Sequence, residues 1–110
     1  MSEYAATPNP PYYAAIFSAV RTDVVEGYDA CTQRMLELAA SQPGFLGVEA
    51  TGDQQFSIGV SYWSSPEAVL AWKQQVEHLE VQRMGKVKWY KSYRVRICKV
   101  ERDYGFDKGA

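Results

Sequence analysis

Apolar residues alternate with small or polar ones in four stretches of the chain and recur at helical spacing in two others. Tyr12–Arg21 (YYAAIFSAVR) puts Tyr12, Ala14, Ile16, Ser18 and Val20 on one side and Tyr13, Ala15, Phe17 and Ala19 on the other. Both sides are largely apolar, which predicts a strand covered on both faces. Asp23 with Glu26 three residues on resembles a capping box, Asp standing for the usual hydroxyl residue. The helix predicted from there to about Ala40 carries its apolar stripe on Tyr28, Cys31, Met35 and Leu38, and Gln42-Pro43-Gly44 stops it. Phe45 to Thr51 and Phe56 to Trp63 read as strands joined through Gly52-Asp53-Gln54-Gln55, the signature of a hairpin. In the latter strand Phe56, Ile58, Val60 and Tyr62 form an apolar face. Ser57, Gly59, Ser61 and Trp63 form a face of mostly small residues with room above it.

Ser65-Pro66-Glu67 opens a second helix: a hydroxyl for the orphan N–H groups, then a proline where a missing N–H costs nothing. Its apolar row is Ala68, Trp72, Val76 and Leu79, and the phase drifts after the polar Gln74–Gln75, so a bend or break is expected over 75–77. Tyr90 to Arg102 reads as the last strand, with Tyr93, Val95 and Ile97 on one face and Arg94, Arg96, Cys98 and Val100 on the other. A short aromatic tail, Asp103-Tyr104-Gly105-Phe106, follows it. Residues 1–11 contain three prolines and form an arm, extended where the prolines fix it. The expected organisation is an arm over 1–11, one folded unit over 12–106 and a tail over 107–110.

The element order is βαββαβ. This is the α+β, ferredoxin-like split arrangement: a four-stranded antiparallel sheet with both helices on one face. Two helices cover only one side of such a sheet, yet the first and last strands carry apolar residues on both. A second copy packed sheet to sheet would cover the open side, giving a symmetric homodimer with a barrel-like middle.

Composition narrows the classes. With 110 residues the chain makes one domain, and 46% hydrophobic with 23% charged residues is an ordinary globular balance. Net charge is −1, so nothing steers the whole molecule to nucleic acid. Eight of the twelve Lys and Arg residues lie between Arg83 and Arg102, where a solvated helix face and the outward positions of a strand account for them. Cys31 and Cys98 have no metal-like or redox-like spacing and fit reduced, buried thiols. No run is long or apolar enough to span a membrane, and the first residues lack the parts of a signal peptide, so the cytoplasm is expected.

Candidate chemistry concentrates after the predicted helix break. His78, Gln82, Gly85 and Trp89 stand at i, i+4, i+7 and i+11 and share one helical stripe. An imidazole, an amide, bare backbone and a large ring in one row can line a pocket, with His78 as the group that titrates near neutrality. The plainer alternative is a half-exposed helix face whose histidine hydrogen-bonds a neighbour. No Gly-rich phosphate loop, Ser-His-Asp set or metal-spaced His/Cys cluster is present.

The segments YWSSPEAVLAW, EHLEVQRMGKVKWYKSYRVRICKVERDYGF and PGFLGVEATGD resemble the antibiotic-biosynthesis monooxygenase family of dimeric α+β barrels. The likeness runs from Tyr12 to Phe106, and the pairing of EHxxxQxxG with WYxxYRVRIxxVERDY resembles one bacterial branch. The resemblance implies a homodimer and, in the branch of cofactor-independent oxygenases, oxidation of a small aromatic or enolisable substrate by O₂ without metal or flavin. There the protein supplies an apolar cavity, a proton acceptor and exclusion of water. By that likeness Trp63, Trp72, Phe17 and Tyr62 would bind the substrate and His78 would take the proton, and Gln82 and Trp89 of the helical stripe would join them in binding it. The haem-degrading branch instead needs an Asn–Trp–His triad. Trp72 matches its tryptophan, but Gln82 stands near the histidine position and the first strand has no asparagine, Asn9 belonging to the arm. A barrel that holds an apolar or haem-like ligand without turnover is the alternative function.

Overall fold

The computed structural model describes residues 4–77 and 85–109. Four strands, β1 (Tyr12–Arg21), β2 (Phe45–Gly52), β3 (Phe56–Trp63) and β4 (Tyr90–Val100), form one sheet in the order β2-β3-β1-β4. All neighbouring pairs are antiparallel. Helix α1 (Tyr28–Ala40) connects β1 to β2, and α2 (Pro66–Glu77) follows β3. A π-helical turn, Gly85–Trp89, leads into β4. This is the ferredoxin-like α+β fold, and its register reproduces the alternation read from each strand.

The helices lie on the side of the sheet that carries Tyr13, Ala15 and Trp63. Ala39 of α1, Val69 of α2 and the fully buried Trp63 form the centre of the core, with Tyr13, Ala15, Phe45, Ala68 and Trp72 packed around them. α1 turns Cys31, Met35, Leu36 and Leu38 partly inward, and α2 turns Ala68, Val69, Trp72 and Val76. The Ser65 hydroxyl accepts the Ala68 N–H at 3.1 Å, so α2 starts as its Ser-Pro-Glu opening dictates. The hairpin closes through the Asp53 carboxylate, which accepts the N–H groups of Gln55 and Phe56 at 2.8 and 2.9 Å. Those backbone donors, Phe56 first, hold the Asp53 pKa below the usual carboxylate value.

β2 runs one residue further than expected, to Gly52, and two other boundaries differ from expectation. α1 begins at Tyr28 behind Gly27, whose φ is 81°, and no side chain caps it. The chain before it is held elsewhere: the Thr22 N–H donates to the Trp89 carbonyl at 2.8 Å, and the Trp89 indole N–H donates to the Glu26 carbonyl at 3.0 Å. Trp89 comes from a distant part of the chain, so its contact overrides the local capping signal of Asp23 and Glu26. β4 ends at Val100 rather than Arg102 because Val100 pairs with Tyr12, the first residue of β1. The residues before it, Pro10 and Pro11, have no N–H to continue the ladder.

The opposite face of the sheet carries Tyr12, Ile16 and Val20 of β1, Phe56, Ile58, Val60 and Tyr62 of β3, and Arg94, Arg96 and Cys98 of β4. Residues 4–11 fold back over one end of it. The Ala5 N–H donates to Glu49 Oε2 at 3.0 Å, and a Cβ on Gly47 would sit 2.6 Å from that of Ala5. Under this cover Tyr12 and Ala14 are buried, whereas Val20, Phe56 and Ile58 at the other end stay exposed.

Gly44 has a φ of 84°, and its carbonyl accepts the Ser64 N–H at 2.8 Å, tying the α1–β2 turn to the β3–α2 turn. An added Cβ would lie 2.7 Å from the Ala68 Cβ and 2.8 Å from the Ser64 hydroxyl. Gly44→Ala should therefore cost about 2 kcal/mol or more, left-handed strain and overlap together. The check is a lower urea midpoint at unchanged slope.

Candidate functional site

The strand register lays four rows of side chains across the helix-facing side of the sheet. They are Lys99–Tyr13–Trp63–Phe45, Ile97–Ala15–Ser61–Val48, Val95–Phe17–Gly59–Ala50 and Tyr93–Ala19–Ser57–Gly52. The first row lies under α2. Trp72 stacks on Trp63 with ring centroids 5.7 Å apart, Phe45 meets Trp63 edge-on at 5.4 Å, and the Trp63 indole N–H donates to Ser61 Oγ at 2.9 Å. At the other end Phe17 packs on Tyr93 at 5.1 Å and on Tyr90 at 5.4 Å. Tyr28, from the start of α1, meets both Tyr90 and Trp89 edge-on.

Between these aromatic groups the floor is Ala15, Ser61 and Gly59. A Cβ on Gly59 would meet only the Ala50 Cβ, at 3.9 Å, so space remains above it. On the β4 side Val95 and Ile97 are 52% and 54% exposed. We call this strip the trough: small residues lie between a tryptophan stack at one end and a phenylalanine–tyrosine group at the other, with an apolar flank toward β4. Beside its tyrosine end an open concavity of about 270 Å³ is lined by Lys86, Tyr90, Lys91, Ser92, Tyr93 and Arg94.

The tyrosine end is polar as well as aromatic. The Arg21 guanidinium lies 3.5 Å from the centre of the Tyr28 ring, and its Nε is buried with no hydrogen-bond partner among the described residues. Burial, then the hydrogen bond with Tyr28, raises the Tyr90 phenol well above the usual tyrosine range, so it remains a neutral donor. Burial also pushes the Cys31 thiol up.

The residues singled out in the sequence occupy three places. Trp63 and Trp72 form the stack at one end of the trough. Phe17 belongs to the tyrosine end, and Trp89 stands behind it against Tyr28. Tyr62 is on the other face of the sheet, where its hydroxyl donates to Glu49 Oε1 at 2.8 Å. His78 and Gln82 lie outside the described residues. Sequence reasoning missed Arg21, Tyr28, Tyr90 and Tyr93. The one signal for them was that Tyr93 shares a β4 face with Val95 and Ile97. Among the described residues no group of three His, Cys, Asp or Glu side chains is placed to hold a metal ion, and no helix is long and apolar enough to cross a membrane.

The fold recurs in solved structures. SnoaB of Streptomyces nogalater, a cofactor-independent oxygenase, superposes with a TM-score of 0.72 over 86% of this chain and 97% of its own, at 10% identity. A candidate antibiotic biosynthesis monooxygenase from Nitrosomonas europaea gives 0.68 over 86% and 93%, at 14% identity. A dimeric ferredoxin-like protein of unknown function from Thermobifida fusca gives 0.65 over 88% and 99%, at 10% identity. At these identities the likeness is one of fold: the chain has the ferredoxin-like α+β fold that these structures share. No family model matches the sequence. The uncharacterized protein YqjZ of Bacillus subtilis (strain 168) is 44% identical over 109 residues, covering 98% of this chain and 96% of YqjZ. The chain belongs to the YqjZ family.

Tyr62 yields a prediction about pH. Burial and the bond to Glu49 raise its phenol from 10.0 to about 12. The folded state therefore favours the neutral hydroxyl, and this contribution to stability is complete below about pH 10 and is lost as pH climbs through about 12. Tyr62→Phe should flatten the alkaline fall of the urea midpoint over that window, and an unchanged fall would assign it to other groups.

Proposed function

We propose that this protein is a cofactor-independent monooxygenase-type enzyme that oxidises a small aromatic or enolisable substrate with O₂. The observation that carries the reading is the trough: its floor of Ala15, Ser61 and Gly59 between two aromatic ends fits a flat ring, and Val95 and Ile97 flank the way in. Fold likeness to SnoaB, a cofactor-independent oxygenase, supports the same class. In this chemistry removal of a proton makes the substrate electron-rich, and the substrate then reduces O₂ itself, so no resident electron carrier enters the balance. The protein's part is to hold the ring, exclude water and accept the proton. His78, which follows α2 directly in the sequence, is our proton acceptor, and Trp63, Trp72 and Phe17 bound the substrate volume.

The exposed Val20, Phe56 and Ile58 on the other face of the sheet support a homodimer packed face to face, and the Thermobifida fusca neighbour is dimeric as well. Light scattering at micromolar concentration should give twice the chain mass, and a stable monomer would remove the dimer from the reading.

A screen of quinols, anthrones and flavonoid-like phenols in an oxygen electrode tests the activity. Consumption of O₂ by at least one of them is expected, and tight binding without consumption would assign a sequestering role instead. His78→Ala should lower turnover roughly a hundredfold with the fold intact, the usual size for a lost general base. Gly59→Leu should fill the trough and abolish turnover, whereas Gly59→Ala, with its free space, should change stability by less than about 1 kcal/mol. Unimpaired turnover in Gly59→Leu would move the site out of the trough.

A further inference from the structure

The tail after β4 is attached at its root, and beyond it the rings stand in the open, with the Arg102 guanidinium 5.9 Å from the centre of the Tyr104 ring. The Tyr12 hydroxyl, on the open face of the sheet, donates to the Asp103 carboxylate. Past that point Tyr104 is 90% exposed and Phe106 84%, and a Cβ on Gly105 would meet nothing within 4 Å. Two large rings two residues apart fall on one side of an extended segment. Asp103 and Asp107 make the segment 103–107 acidic. The far end of the open sheet face has the matching character. Val20 pairs across the sheet with Phe56, and Ser18 with Ile58, while Arg94 and Arg96 of β4 stand exposed beside them.

We propose that residues 104–107 of one copy clasp a second copy of the chain, Tyr104 and Phe106 packing on its Val20, Phe56 and Ile58 while Asp107 meets its Arg94 and Arg96. The proposal rests on the face-to-face dimer. A two-fold axis between the sheets and across the strands sets the Tyr12 end of one copy over the Val20 end of the other. From Asp103 to Asp107 an extended chain spans roughly 14 Å, about the ~14 Å width of four strands, so the rings reach the apolar strip. A tail that stayed on its own copy would leave both rings in water. In the exchanged arrangement each copy covers the exposed apolar end of the other, and the interface gains an ionic register that back-to-front stacking of the sheets would lose.

The experiment uses the full chain. Phe106→p-benzoylphenylalanine copies carrying heavy isotopes are mixed with light unmodified copies, irradiated, and the cross-linked peptides identified by mass spectrometry. Heavy-to-light cross-links to peptides containing 18–20, 56–58 or 92–96 are expected, and cross-links confined to the same copy overturn the proposal. In parallel, the Tyr104→Ala/Phe106→Ala variant should raise the dimer dissociation constant at least tenfold with unchanged circular dichroism. Asp107→Arg should weaken the dimer less, and mixing it with Arg94→Asp/Arg96→Asp copies should recover part of the loss. A dimer whose affinity ignores all these changes sinks the clasp and leaves the dimer standing. A wild-type chain that is monomeric throughout removes the dimer and the clasp together.

Discussion

Everything in this structure answers to one constraint: β1 is an interior strand whose two faces are both apolar. It pairs with β3 on one side and β4 on the other, so its backbone groups are satisfied within the sheet. Its side chains then require cover above and below. On one face α1 and α2 supply it around Trp63, Val69 and Ala39. On the other, among the described residues, the amino-terminal arm covers Tyr12 and Ala14 and stops short of Val20.

That asymmetry divides the labour between the faces. The helix-facing side is tightly filled where Trp72 stacks on Trp63 and has room beside Gly59, which is where the proposed function places a ligand. The open side offers a flat apolar end bordered by arginines, which suits another protein surface better than a small molecule. The Glu49 carboxylate links the two roles through geometry. It takes the Tyr62 hydroxyl from the sheet and the Ala5 N–H from the arm, fixing how much of the open face the arm covers.

The trough's chemistry is sparse in the way the proposed reaction asks for. Aromatic rings stand at both of its ends, and at the tyrosine end burial keeps the Tyr90 hydroxyl protonated. Ordinary metal or hydrolytic chemistry would require acids, thiols or imidazoles clustered in space, and among the described residues the trough brings together rings, small side chains and Arg21 instead.

Sequence by itself determined the elements, the side each residue takes along a strand, and the fold class. Alternation has a period of two whatever the partner strand, so β1 and β3 were legible to the residue, and the Ser65-Pro66 opening of α2 is a local matter of one hydroxyl and one missing N–H. The uncovered second face was legible too, because a count of helices against apolar faces needs no coordinates. Tertiary structure alone decided which residues meet. The opposition of Val95 to Phe17 and of Phe17 to Gly59 depends on register between strands far apart in the chain, and that register creates the trough. The late start of α1 has the same cause: Trp89 docks on Glu26 and Gly27 across 63 residues and overrules the capping signal beside it. Tyr62, which the family resemblance set beside Trp63 as a substrate residue, is parted from it by the pleat that the alternation had already read, and that sends neighbours to opposite faces.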